Sequence, residues 1–285
     1  MRPNFRPNLL KLASGAFIAG ACGALLNDAE PAIARSAAPV AAAPVAATPP
    51  AGARAVMKTA RAVLNGVGVE SAVEKTQVQR ALDALAGSVR KQSDPKALRM
   101  AFQAYYNYKA ANPRDVKKPY LYFVDYGLTS TTPRGYVFDM QTLKVVDGPF
   151  MVAHGRGSAA PSSGVPTRFS NRQGSNSTSL GLYLAQETYG FNGKAGGKRY
   201  TSVGLRMKGL SGKFNSSARA RGVVAHGAPY VTATRAGRSE GCPALEQGRA
   251  RKLLPQIANG GLVFLFSPLD ETWMEQDPWA AGANG

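Results

Sequence analysis

Apolar positions change their spacing twice along this chain. From Val78, the residues Ala81, Leu82, Leu85 and Val89 recur three or four apart, which predicts a helix with one apolar face. A second helix is predicted after Ser93, with Asp94 as N-cap and Pro95 in the first helical position. Leu98, Ala101, Phe102 and Tyr105 line one side of it until Asn112-Pro113 ends it. Beyond Pro119 the period shortens. YLYFVDY (120–126), GYVFDM (135–140) and KVVDGPFMVAHG (144–155) are β-branched and aromatic with turn residues between them, and predict a meander. A stretch from 155 to 181, dense in Gly, Ser, Asn and Pro, reads as a long functional or disordered loop. RGVVAHG (221–227) and GLVFLF (261–266) predict further strands, with a helix in ALEQGRARKLLPQI between them. There is no internal repeat, P-loop or dinucleotide fingerprint.

The first residues have a different character. Arg2, Arg6 and Lys11 precede an apolar run from Leu12 to Leu26, and Ala32 and Ala34 supply small residues in cleavage spacing. This predicts a signal peptide cleaved after Ala34, too short and wrongly flanked for a spanning helix. The protein is therefore expected to be exported, to the periplasm or cell envelope, with a membrane tether only if Cys22 is lipidated. The next segment is rich in Ala and Pro and reads as an extended linker. The expected organisation is a signal peptide (1–34), a linker (35–54), a helical region (55–118), a mainly β domain (119–268) and a C-terminal tail (269–285). The fold class is mainly β with helices, α+β.

Composition narrows the partners. The chain has 285 residues and a formal net charge of +18, which points to an anionic counterpart. Export and the lack of an aromatic-interleaved basic motif argue against nucleic acid, and leave a wall polymer bearing peptide carboxylates. There are two cysteines, Cys22 and Cys242. Once Cys22 leaves with the signal, Cys242 has no partner in the chain, so it is a bridge to another molecule, a reactive thiol, or a small buried side chain.

Only two histidines exist, His154 and His226, each at a predicted strand end and followed by glycine. A thiolate needs a base or a cation beside it, and imidazole is the usual one. His226 precedes Cys242 by sixteen residues, enough for a strand end, a loop and a return turn. His154, His226 and Cys242 are also a conceivable zinc set, although no local metal-binding pair such as C-x-x-C is present.

The segment HGAPYVTATRAGRSEGC resembles the murein L,D-transpeptidase catalytic domain family, the cysteine enzymes that cross-link peptidoglycan. The matching elements are His226-Gly227 and Ser239-Glu240-Gly241-Cys242, with VAHGRGS, SLGLY and ARARGVVAHGA in keeping, over about Pro119 to Pro268. The resemblance implies a β-sandwich or barrel-like catalytic domain. It implies Cys242 as nucleophile toward a stem tetrapeptide, His226 as general acid/base, and a backbone carbonyl near the cysteine motif that orients the imidazole. Gly241 and Cys242 N–H groups would form the oxyanion hole, with Ser239 fixing the turn and Gly227 beside the histidine. Arg238 would hold a stem carboxylate and His154 would line the cleft. No cofactor or metal is implied, and the partners are peptidoglycan stem peptides.

Two positions depart from the family pattern. Glu240 stands where a second histidine is common, and Ala244 where a polar residue is; these changes leave the nucleophile alone, and the resemblance does not carry over substrate orientation. L,D-carboxypeptidase trimming, with water as acceptor, and a non-catalytic wall-binding module are the alternative functions.

Overall fold

The computed structural model describes residues 76–159 and 164–281; the expected signal peptide, linker, and the helical region up to residue 75 lie outside them. The architecture is mainly β with helices, as expected. An eight-stranded curled sheet runs in the order β3-β2-β1-β10-β5-β6-β7-β9. Its members are β1 (Tyr120–Asp125), β2 (Gly135–Asp139), β3 (Lys144–Phe150), β5 (Gly181–Ala195), β6 (Lys198–Gly209), β7 (Val224–Gly227), β9 (Ala244–Leu245) and β10 (Leu262–Phe266). A small second sheet pairs β4 (His154–Gly155) with β8 (Arg238–Ser239).

The centre of the large sheet follows from two uninterrupted apolar runs. β1 and β10 pair in parallel from Leu121 opposite Leu262 to Asp125 opposite Phe266, and every residue of β10 is buried. Strands covered on both faces need no polar alternation, which is why both read as continuous apolar segments. The β1-β2-β3 meander forms as predicted. The predicted strand over 144–155 divides, because its middle residues bond elsewhere. Val152 O accepts from Arg134, Ala153 O accepts from the Tyr126 hydroxyl, and Ala153 N–H donates to Ala244 O.

The β5–β6 hairpin was not predicted. Its outer half is rich in Gly and Lys, yet β5 alternates between half-buried and exposed positions from Tyr189 to Ala195. The signal for it is Gly196-Gly197, both with positive φ (55° and 79°), a two-residue turn suited to the twist of a hairpin.

Helix α1 (76–85) and α2 (Ala97–Ala111) share one core with the sheet, α2 packing on β1, β5 and β10. The helical region is thus not a separate appendage from Val78 onward. Asp94 closes the turn ahead of α2 by accepting from Lys96 N–H at 2.7 Å, and the helix starts after Pro95, at Ala97. Helix α3 (Gln247–Ile257) is capped by Glu246, whose carboxylate accepts from Gly248 and Arg249 N–H, and buries Ala250, Leu253, Leu254 and Ile257. Among the described residues no helix is long and apolar enough to cross a membrane.

The segment after 268 is not a tail. It forms α4 (Glu271–Gln276), whose Trp273 is fully buried with ring centroids 5.8 Å from Phe264 and 5.6 Å from Phe266. Asp277 accepts from the Trp273 indole and from the N–H groups of Trp279 and Ala280. Replacing Trp273 by Ala should therefore cost about 3–5 kcal/mol in urea unfolding, the range for emptying an aromatic core site. A change under about 0.5 kcal/mol, as for a surface position, would mean that the segment is a tail after all.

Candidate active site

Strand pairing assembles the three glycine-containing motifs. β7 and β9 run in parallel with His226 opposite Ala244, and His226 N–H donates to Pro243 O at 3.4 Å. The residue that follows Cys242 is thereby bonded across the ladder to the histidine. In the small sheet, His154 stands opposite Arg238 and Gly155 opposite Ser239.

The cysteine turn is stapled from within. Ser239 Oγ donates to Cys242 O at 2.6 Å and accepts from Gly241 N–H at 3.2 Å, so Ser239 fixes the turn through backbone bonds. Gly241 has φ +120°, a conformation side chains rarely adopt, and a Cβ there would meet Ser177 O at 2.9 Å. Crowding from the 170–179 loop, rather than room for substrate, is the reason for glycine here. Because Gly241 N–H is already engaged, it is not an open oxyanion donor in this state, contrary to the sequence expectation.

Cys242 is half-buried and is a free thiol. Its Sγ lies 4.0 Å from Gly222 O and faces Val224 N–H. Tyr126, Tyr183, Tyr189, Tyr200 and Tyr230 all lie close enough for a charge on the sulfur to shift their ionisation. Desolvation by these surroundings pushes the thiol above its ordinary range, while the Val224 N–H and the Arg221 charge pull it down.

His226 is buried, with Nδ1 3.2 Å from Gly227 O. A carbonyl only accepts, so this contact puts the proton on Nδ1 and leaves Nε2 as an acceptor. The orienting carbonyl is that of the neighbouring Gly227 and not one near the cysteine motif. Phe191 stacks on the imidazole at 4.0 Å with the rings 16° apart, and Tyr230 approaches edge-on at 6.5 Å. Burial lowers the His226 pKa to about 4. At neutral pH both partners are therefore uncharged, and no imidazolium is available to lower the thiol.

His154 does not line a cleft. It is fully buried, its Nδ1 2.8 Å from Arg134 Nη2 and its Nε2 3.2 Å from Arg238 Nη1. Burial and the two guanidiniums depress its pKa to about 3. Any effect of His154 on a ligand passes through Arg238, which is partly buried and also donates toward Ala159 O. Among the described residues no group of three or more His, Cys, Asp or Glu is placed to hold a metal ion, so the zinc set does not assemble. Glu240 pairs with Arg156 at 2.9 Å, both largely exposed, a contact that contributes little in water. Ala244 is fully buried on a strand paired with His226 on one side and Ala153 on the other.

Two residues of the site escaped the sequence reading. Phe191 lies on the unpredicted hairpin, where nothing in the local pattern distinguishes it. Arg221 stands within ARARGVVAHGA, five residues before His226, and looked like one more cation in a basic chain.

Residues 89–266 match the model of the L,D-transpeptidase catalytic domain, and the chain belongs to this family of cysteine-dependent enzymes. The match begins thirty residues ahead of the expected domain start at 119, in keeping with the shared core of α2 and the sheet. Solved structures similar to it include an L,D-transpeptidase from Mycobacterium smegmatis, 15% identical with TM-score 0.33 over 52% of this chain and 58% of that one. Another is the L,D-transpeptidase of Stackebrandtia nassauensis, 17% identical with TM-score 0.34 over 61% and 69%. A third comes from Mycobacterium tuberculosis H37Rv, 16% identical with TM-score 0.30 over 52% and 57%. The chain thus spans less than two thirds of the Mycobacterium smegmatis protein, and the family match carries the assignment. No curated protein matches the chain.

Two predictions follow from the buried imidazoles. With only two histidines, an NMR titration resolves both rings, and neither should titrate near 6.5; Phe191→Ala should move His226 up toward that value and leave His154 in place. An unmoved His226 would show that the stack does not desolvate it. The same shifts make acid destabilising. Below about pH 6.5 the unfolded chain binds protons that the native state takes up only near 4 and 3, so urea midpoints should fall as pH drops through that window. A flat profile between pH 7 and pH 4 would mean that the rings are not buried as neutral groups.

Proposed function

We propose that this protein is a peptidoglycan L,D-transpeptidase, exported to the periplasm or cell envelope, that acts by cysteine acyl transfer on stem tetrapeptides. The observation that carries the proposal is the neutral His226, held by Gly227 O with Nε2 as acceptor and paired across the β7–β9 ladder with the turn that bears Cys242. The net charge of +18 suits a polymer with peptide carboxylates.

In this mechanism the Cys242 sulfur attacks the carbonyl of the third stem residue as its proton passes to His226 Nε2. The oxyanion forms against the Cys242 N–H, since Gly241 N–H is held by Ser239 Oγ. His226 then returns the proton to the leaving amine, and D-Ala departs. An acceptor amine attacks the thioester, loses its proton to His226, and releases the thiol with a new amide bond. Arg238, oriented by His154, is the candidate partner of a stem carboxylate, through the parallel bonds a guanidinium makes.

Purified protein incubated with a disaccharide-tetrapeptide should lose D-Ala and yield cross-linked dimers by mass spectrometry. Cys242→Ala should lower turnover by about a thousandfold or more and abolish the acyl adduct. Trimmed tripeptide without dimers would assign the L,D-carboxypeptidase activity instead. Turnover near wild type in Cys242→Ala would sink the thiol mechanism, and binding without any turnover by wild type would favour a wall-binding module.

A further inference from the structure

Arg221 occupies an unusual position for a cation. It is half-buried, and all four of its side-chain hydrogen bonds go to one segment: Nη1 to Ser170 O at 2.8 Å and Ser179 Oγ at 3.3 Å, Nη2 to Ser175 Oγ at 3.1 Å and Ser177 O at 2.7 Å. Every acceptor is neutral, and among the described residues no carboxylate forms an ion pair with it. A buried charge without a counter-ion is costly, so a position of this kind needs a compensating anion or a strict structural use.

The Cys242 sulfur, which becomes an anion only on losing its proton, is one turn away. Arg221-Gly222 lies against Gly241-Cys242: Sγ is 4.0 Å from Gly222 O, and Arg221 Nη2 is 3.6 Å from where a Cβ on Gly241 would be. Ser177, whose carbonyl receives Arg221, is the residue that the Gly241 turn packs on. The guanidinium thus ties the 170–179 loop, the β7 approach and the cysteine turn into one unit.

We propose that Arg221 is the positioning residue of the proposed cysteine reaction, holding the 170–179 loop against the Cys242 turn and supplying the positive charge that stabilises the thiolate. The inference rests on Cys242 acting as the nucleophile. The groups facing the sulfur leave no other cation for the task. Tyr126 just after β1, Tyr183 and Tyr189 on β5, Tyr200 on β6 and Tyr230 after β7 all have raised pKa values and stay neutral. His226 on β7 is neutral as well, and Glu240 on the cysteine's own turn opposes the thiolate. Arg221 favours the thiolate, and the thiolate in turn favours the charged guanidinium. The proton balance is unchanged: it leaves Sγ for His226 Nε2, and Arg221 lowers the energy of the charge left behind.

The test needs no substrate. In Cys22→Ser protein, iodoacetamide alkylation against pH reports Cys242 alone. Arg221→Gln should raise the midpoint by about one unit, a roughly tenfold slower reaction at fixed pH below it, in line with loss of a nearby opposite charge. Arg221→Lys keeps the charge and loses the fork, so its midpoint should stay within about half a unit of wild type. Glu240→Gln should shift the midpoint downward. An unchanged midpoint in folded Arg221→Gln, or equal upward shifts in the Gln and Lys variants, would overturn the electrostatic role. If Arg221→Gln does not fold, Arg221→Lys decides: a displacement of a unit or more in a folded protein overturns the proposal. Alkylation as expected without turnover of tetrapeptide would refute the transpeptidase function and leave the role of Arg221 standing.

Discussion

The contact between Gly155 and Gly241 is the constraint on which the site depends. A Cβ on Gly155 would lie 2.8 Å from Gly241 Cα and 2.3 Å from Asn176 O, so the two backbones meet with no side chain between them. That approach lets β4 pair with β8, which sets His154 beside Arg238 and Ser239 where its hydroxyl staples the cysteine turn. A methyl group on Gly155 would force apart the segments carrying the two motifs, and one on Gly241 would press on Ser177 of the 170–179 loop. The setting of Cys242 therefore begins with two residues that have no side-chain chemistry of their own.

Around this contact the protein buries cations and keeps its imidazoles neutral. Arg134 is fully enclosed, its pKa lowered to about 10, and is held by Leu128 O, Val152 O and the face of Tyr126. Carbonyls and a ring face compensate a guanidinium partly, at a cost that a structure accepts only where the charge orders something else. Here the ordered group is His154. Its neutral ring can accept from only one of the two guanidiniums it faces, so one of those contacts is donor against donor.

Much of this organisation was legible in the chain. The apolar runs of β1 and β10 and the stripe of α2 follow from periodicity, because burial dictates residue type there. The nomination of His226 beside the Cys242 turn followed from the family resemblance and spacing, and the strand register sets His226 opposite Ala244, two residues beyond the cysteine. What stayed hidden lies where long-range contacts override local pattern. The β5–β6 hairpin gave no assignment because half of it is exposed and lacks an apolar run, and with it Phe191 was lost from view. The enclosure of His154 involves Arg134, twenty residues earlier and just ahead of β2, and no local spacing records that. Trp273 looked peripheral because the sequence around it is polar, whereas its contacts are Phe264 and Phe266 on the central strand.

The uncharged resting state of Cys242 bears on how long the protein lasts. Peroxides and disulfides react with the anionic form of sulfur, so a thiol pushed upward by its surroundings presents little of the vulnerable species. With no second cysteine among the described residues, an oxidised Cys242 has no neighbour in this fold to resolve it back. Keeping the proton on the sulfur thus amounts to chemical preservation: the tyrosine-lined setting that desolvates the thiol also protects a side chain that this fold offers no second thiol to repair.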